Sequence, residues 1–457
     1  MANSPSTAAT VRALRWYGDL LPLYEAHPQR YPYLLESVAH GTGHSRYDIL
    51  FAFPGESLAL GNDGRLEGAA AGGQTFLTAL DGWWRREYRH HGKVRELPFT
   101  GGWFLFLGYE LAGEIEPRLQ LPRCVEPQPV AFATRIPAAV VRDHRERCCY
   151  LVAESGREPL LDILTADLEA SISSGRPAGA PSASVSEEPA QRYLRAVERA
   201  RQYVIDGDIF QANLSRLWSA PWSSGEAGVA QLYRNLRRTN PAPFAGLALF
   251  QGLAVMSSSP ERLVKVRNGV VETRPIAGTR PRGSSRGRDL AYSSELLSHP
   301  KERAEHVMLI DLERNDLGRV CRPGSIEVNE LMALESFAHV HHIVSNIRGR
   351  LRSGITPGEV IRAVFPGGTI TGCPKVRCME IIAELEGSGR GAYTGSMGYL
   401  NLDGSMDLNI LIRTMVVAGG QLGFRAGAGI VADSVPQREL EETRAKARGL
   451  LLALEQL

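Results

Sequence analysis

Ser396–Val431 reads SMGYLNLDGSMDLNILIRTMVVAGGQLGFRAGAGIV. Two short segments inside it, LDGSMD (Leu402–Asp407) and VAGGQL (Val417–Leu422), carry Asp-Gly and Gly-Gly pairs between apolar runs. Such pairs accept the positive φ that tight hairpin turns demand, so the stretch predicts successive β-hairpins. Outward from it, FAGLALF (Phe244–Phe250), LAVMSSS (Leu253–Ser259), RLVKVRNGVVET (Arg262–Thr273), AAVVRDH (Ala138–His144) and CCYLVAES (Cys148–Ser155) are also strand-like. Helical patterns interrupt them. In AQRYLRAVERARQYVIDGD (Ala190–Asp208), Tyr193, Val197, Ala200 and Val204 recur at helical spacing. Further helices are expected within Ala70–Gly92, through Ser293–Gly318, after VFPGGTITG, and from Pro436 onward. Many strands and few short βαβ repeats predict an α+β fold, with large β-sheets packed in the core and helices outside.

The chain has 457 residues, of which 43% are hydrophobic and 22% charged, an ordinary globular balance. Its formal charge of +2 excludes the strong basic excess of a nucleic-acid-binding surface. No long apolar run predicts a membrane span, and MANSPSTAATVRALRWYGDL lacks the pattern of a secretory signal. Six scattered cysteines form no CxxC pair and are accompanied by no His cluster. That usage predicts reduced thiols, no zinc site and a cytoplasmic protein. SGRPAGAPSASVSEEPAQ (Ser174–Gln191) has linker composition. It divides the chain into an N-terminal region, 1–173, a linker, 174–191, and a larger region, 192–457.

Several constellations carry potential chemistry. Glu302 and Glu305, and again Glu439 and Glu442, lie three residues apart on expected helices, which puts each pair on one face. Two such faces brought together would suit a hard cation such as Mg²⁺; taken singly they are ordinary solvated faces. Lys446 follows Glu442 by four residues, the spacing of a helix ion pair. Gly427 and Gly429 follow a strand-like run and precede the final helix, where missing side chains admit an anion to the backbone or simply a tight turn. Adjacent His341 and His342 point to opposite faces of a strand, so at most one is expected to face inward. Glu261, directly after Pro260, is either a surface-turn residue or a desolvated general acid. RPIAGTRPRG (Arg274–Gly283) is too rich in glycine and proline for a central strand.

In order, GDIFQANLSR, NPAPFAGL, SSSPERL, TRPIAGTRPRG, KERAEHVMLIDLERNDLGRV, VHHIVSNIRG, FPGGTITGCPKVRCMEII, AYTGSMGY, NILIRT, AGAGIVADS and EETRAKA resemble the chorismate-utilising synthase family. YPYLLESV and PFTGGWFLFLGYEL extend the resemblance into the N-terminal region. The resemblance implies an anthranilate-synthase-component-I-like layered fold and a Mg²⁺-dependent enzyme acting on chorismate. It makes Glu305 and Glu442 direct metal ligands, with Glu302 and Glu439 as water-bridged companions. It makes Glu261 the acid that protonates the departing C4 hydroxyl, and sets His342, Thr369 and Ala277 around the reacting ring. Tyr393 and Arg413, with the backbone amides of Gly427 and Gly429, would hold the enolpyruvyl carboxylate; Lys446 would touch the ring carboxylate.

Gln211 stands where the water-using members resemble one another in having a lysine base. A carboxamide takes no proton from water, so ammonia is the expected nucleophile. FQANLSR, NPAPFAGL and FPGGTITGCPK resemble the members that aminate C4, the aminodeoxychorismate synthases of folate and 4-aminobenzoate synthesis. Ala277 resembles instead the members that aminate C2, the anthranilate synthases; many C4-aminating members resemble one another in a nucleophilic lysine there. The wider set of motifs outweighs the single position, and C4 amination is expected, with Lys375 as the nearest candidate to replace that lysine. An inactive regulatory homologue is the remaining alternative. No glutaminase nucleophile turn is apparent, so a separate glutamine amidotransferase subunit is expected to supply ammonia. LLES (Leu34–Ser37) with NPAPF resembles the family's tryptophan pocket, through Ser37, Pro241 and Phe244.

Overall fold

The computed structural model describes residues 9–38, 46–72, 75–89, 96–124, 127–171, 184–282, 285–336 and 340–455. Among them are two antiparallel sheets, one 12-stranded and one 11-stranded. The quoted hairpins form as expected: Ser396–Asn401 pairs with Met406–Asn409, and Thr414–Ala418 with Gln421–Ile430. The two hairpins belong to different sheets, so the chain crosses from one sheet to the other between Asn409 and Thr414. It makes a second crossing at Pro260–Glu261, between Leu253–Ser259 and Arg262–Arg267. Of the candidate site residues, Glu261 and Arg413 stand at these two crossings.

The sheets pack face to face through aromatic side chains. Tyr33 stacks on Phe104 with ring centroids 4.1 Å apart, and Phe132 on Phe250 at 4.0 Å. Offset ring pairs of this kind add to the large apolar area such residues bury. The outer face of the 12-stranded sheet is covered by helices including Gly225–Thr239 and Pro436–Glu455, through Leu232, Leu236, Leu450 and Leu454. The outer face of the other sheet is covered by Phe76–Glu87 and Pro357–Val364. The molecule is therefore the expected α+β arrangement, built as helix, sheet, sheet, helix.

Three expectations change. The division at 174–191 does not partition the sheets, because Tyr33–Glu36 pairs with Phe244–Phe250 and Gly102–Leu107 with Ser396–Asn401. Residues 172–183, most of the expected linker, lie outside the described residues; just beyond them, Ser186–Glu187 already pairs with the 211–221 strand. The helix expected through 293–318 is two helices, Arg286–Ser298 and Pro300–Gly318. Pro300 opens the second because it has no N–H to donate back into the first. Both His341 and His342 are buried, since their strand is covered on each face. His341 bonds Ser336 and Asp289, whereas His342 lies toward Gly278 and Arg413.

Candidate active site

Glu261 ends the crossing that follows Ser259. It is 4% exposed, and the Ile276 amide donates to its Oε1 at 3.4 Å. Burial pushes this carboxyl up to about 7; the Thr369 hydroxyl, the Ile276 amide and the Lys446 charge oppose the rise. A carboxylic acid that holds its proton near neutral pH is suited to protonate a leaving hydroxyl. The Thr369 hydroxyl is buried beside it and closes no hydrogen bond of ordinary length among the described residues.

The RPIAGTRPRG segment supplies the opposite wall. Ile276–Pro281 is an edge strand of the 11-stranded sheet, as its proline and glycine content requires. Its register with Val340–Arg350 slips between Ala277 and Thr279, and Gly278 at the bulge has φ +71°. A Cβ there would sit 2.8 Å from Glu302 Oε2. The glycine thus admits both the bulge and the close approach of that carboxylate. The segment's arginines are occupied by acids: Arg274 pairs with Glu330 and Glu335, Arg280 with Glu295 and Glu302, and Arg282 with Asp289. His342 faces the same wall. Burial first, then the Arg413 charge, lowers its pKa to about 4, so its imidazole is neutral at neutral pH.

Arg413 ends the crossing between Asn409 and Thr414 in a left-handed backbone conformation, φ +53°. Thr394, whose amide donates to the Leu411 carbonyl, has φ +63°. Two strained non-glycine residues side by side are typical of a site whose geometry the surrounding fold enforces. Among the described residues the Arg413 guanidinium makes no hydrogen bond or ion pair. Desolvation lowers its pKa, while Tyr393 and Glu442 favour its charge. An unpaired, desolvated guanidinium is a receptor for a carboxylate, which can take two parallel hydrogen bonds from it. Burial pushes the Tyr393 phenol up to about 12, so it stays a neutral donor.

Gln211 and Asn213 point to one face of their strand, beside Gly427 and Gly429 on the neighbouring one. A Cβ on Gly427 would lie 2.6 Å from the Tyr393 hydroxyl and 2.8 Å from Asn213 Oδ1. One on Gly429 would run into Gln211 Nε2. Gln211 Oε1 and Asn213 Oδ1 are buried acceptors without partners among the described residues. The structure adds Asn213 to the site; its place two residues after Gln211 on a strand was the available sequence signal. Lys446 Nζ donates to the Gly427 carbonyl at 2.9 Å and pairs with Glu442 at 2.7 Å.

Lys375 and Pro241 are placed otherwise than expected. The four glutamates offer hard oxygen donors of the right type, yet among the described residues no three acidic, His or Cys side chains converge to hold a metal. Glu302 is held by Arg280 at 3.0 Å, and the half-exposed Glu442 by Lys446; Glu305 and Glu439 are partly buried on the same two helices. Lys375 is no candidate nucleophile: its Nζ is engaged by Asp316 at 2.5 Å and by the Val364 carbonyl at 3.3 Å. Ser37 and Phe244 line a separate cavity of about 110 Å³ with Leu35, Arg262, Met397 and Asn409. Pro243, rather than Pro241, lines it, because the second proline of NPAP is the one adjoining the Phe244–Phe250 strand. Leu34, by contrast, is core.

All six cysteines are free thiols, and no helix among the described residues is long and apolar enough to cross a membrane. The family model for chorismate binding enzymes matches residues 54–452. The anthranilate synthase component I-like protein of Synechocystis sp. is 46% identical over 364 residues, 79% of this chain and 74% of that protein. The aminodeoxychorismate synthase component 1 of Bacillus subtilis is 42% identical over 370 residues, 78% of this chain and 77% of that one. The crystal structure of anthranilate synthase component I from Streptococcus pneumoniae superposes with a TM-score of 0.79 at 32% identity, covering 90% of this chain and 93% of that one.

Proposed function

The chain belongs to the family of chorismate binding enzymes, and from that premise we propose that it is the synthase component that aminates chorismate at C4. The reaction joins chorismate and ammonia to give 4-amino-4-deoxychorismate and water. The observation that carries the reading is Glu261, a buried carboxyl whose pKa near 7 lets it protonate the C4 hydroxyl as that hydroxyl leaves as water. Arg413 and Tyr393 bind the enolpyruvyl carboxylate, neutral His342 packs against the ring, and Lys446 meets the ring carboxylate. Gln211 offers an amide oxygen to ammonia and no base to water. Amination at C4 is supported by FQANLSR, NPAPFAGL and FPGGTITGCPK and by the Bacillus subtilis relative. A glutamine amidotransferase subunit would supply the ammonia, as the name "component 1" of that relative suggests.

A second reading, amination at C2 to anthranilate, is favoured by Ala277 and by the engagement of Lys375 with Asp316, which leave no lysine placed to protect C2. One assay separates them. Purified protein is given chorismate, Mg²⁺ and ammonium, without any added lyase. No fluorescent anthranilate, and 4-aminobenzoate only once the lyase is added, is the expected outcome; anthranilate formed directly overturns C4 amination.

Mg²⁺ is the proposed cofactor on donor chemistry and family resemblance. Its binding requires Glu302 to leave Arg280 and Glu442 to leave Lys446. When bound, the ion supplies positive charge to the ring carboxylate. Glu305→Gln and Glu442→Gln, and chelation of the wild type, are expected to abolish turnover; wild-type rates in either variant remove that residue from the metal site.

A further inference from the structure

Two arginines bring positive charge to Tyr393, and they are opposites. Arg413 makes no hydrogen bond or ion pair among the described residues. Arg390 is 4% exposed, and its guanidinium closes five hydrogen bonds, as many as it has N–H donors. Nε and Nη2 hold the Glu386 carboxylate at 3.0 and 2.6 Å, which neutralises the buried charge. The other three donors reach the Asn213 carbonyl at 2.7 Å, the Ile370 carbonyl at 3.2 Å and the Thr394 hydroxyl at 3.3 Å. Glu386 is anchored in turn by the Ser215 amide at 2.8 Å and the Ser215 hydroxyl at 2.9 Å, on the same strand as Gln211 and Asn213.

What those three bonds reach is the site itself. Asn213 belongs to it, Ile370 follows Thr369, and Thr394 follows Tyr393. Three segments distant in sequence therefore meet on one planar group. Thr394 is the informative contact, because its φ of +63° is costly for a β-branched residue and must be held from outside. Its hydroxyl accepts from Arg390 and donates to the Tyr393 carbonyl at 2.5 Å, so the guanidinium grips the Tyr393 backbone. The same guanidinium lies over the Tyr393 ring, 5.4 Å from its centroid. Its charge is the largest influence opposing the rise that burial imposes on that phenol, which makes the hydroxyl a stronger donor to an anion.

We propose that Arg390 is a positioning residue for chorismate: its five hydrogen bonds fix Tyr393, and with it the 211–213 strand and the 369–370 turn, in the arrangement that the enolpyruvyl carboxylate binds. This rests on Tyr393 binding that carboxylate. Arg390 meets no substrate; it acts through Tyr393, whose ring it faces and whose carbonyl it holds by way of Thr394. The role needs arginine, since a lysine carries the same charge with three donors in place of five and no planar fork to span three segments at once.

The test is a double-mutant cycle on the KM for chorismate, with Mg²⁺ and ammonium, in wild type, Arg390→Lys, Tyr393→Phe and the double variant. Turnover is read as loss of chorismate, so the result does not depend on which carbon is aminated. Arg390→Lys is expected to raise KM about tenfold in the wild-type background, with a smaller effect on kcat. In the Tyr393→Phe background the same change is expected to cost about threefold or less, because the group it positions is already gone. Should Arg390→Lys fail to fold, Thr394→Val carries the test: it removes the hydroxyl that joins Arg390 to Tyr393, and its KM loss shrinks in Tyr393→Phe in the same way. An unchanged KM in Tyr393→Phe overturns the reading of Tyr393, and the role of Arg390 with it. A raised KM in Tyr393→Phe, together with an Arg390→Lys loss of equal size in both backgrounds or no loss in either, overturns the positioning role alone.

Discussion

At the scale of single residues, desolvation does most of the work. Glu261 and His342 both lie against the Ile276–Gly278 segment yet shift in opposite senses, because burial disfavours charge on each: the carboxyl rises to about 7 and the imidazole falls to about 4. With Glu261 as the proposed acid, kcat is expected to hold below pH 7 and fall as pH rises through it. Glu261→Gln, which removes the proton but keeps the shape, should cost about 10²- to 10⁴-fold in kcat; a variant within tenfold of wild type dismisses the assignment. Arg413 shows the same economy. Left unpaired among the described residues, it is available to substrate, so Arg413→Ala should lower kcat/KM about 10- to 150-fold, chiefly through KM. Steady-state kinetics with chorismate as the varied substrate measure this. Composition and spacing could not distinguish Glu261 from a surface-turn residue; the resemblance supplied its role, and the crossing between sheets supplied its burial.

At the scale of elements, the bulge at Gly278 matters most. The strand Ile276–Pro281 slips register there, φ is +71°, and the space of a side chain is filled by Glu302 and Leu296. Gly278→Ala must strain the backbone and displace Glu302, at a cost of about 1–3 kcal/mol. A lower Tm together with impaired turnover is the expected outcome; an unchanged Tm would show that the bulge relaxes freely. The hairpins at 402–407 and 417–422 were legible because their turn residues act locally. The break at Pro300 was legible in principle for the same reason. The burial of both His341 and His342 was not, because alternation says which faces two side chains take and nothing of whether both faces are covered.

At the scale of the molecule, the two sheets are woven from both halves of the chain, and this creates the cavity of about 110 Å³ between Leu35, Ser37, Phe244 and Met397. L-Tryptophan is expected to bind there and to raise Tm by mass action, by less in Phe244→Ala, which loses the ring under the Arg262 guanidinium. Equal tryptophan-induced shifts in both proteins would place any bound tryptophan elsewhere. The sequence by itself determined the α+β class, the hairpin turns, the strands within 138–155, 244–273 and 396–431, and the ordered motifs that carry the family, since periodicity, turn chemistry and residue identity are properties of short stretches. Tertiary structure decided the rest. It alone joined residues 1–173 to the later strands, and engaged Lys375 with Asp316 and Glu302 with Arg280. Those outcomes depend on which distant side chains desolvate and neutralise one another, and that is settled only when the two sheets close.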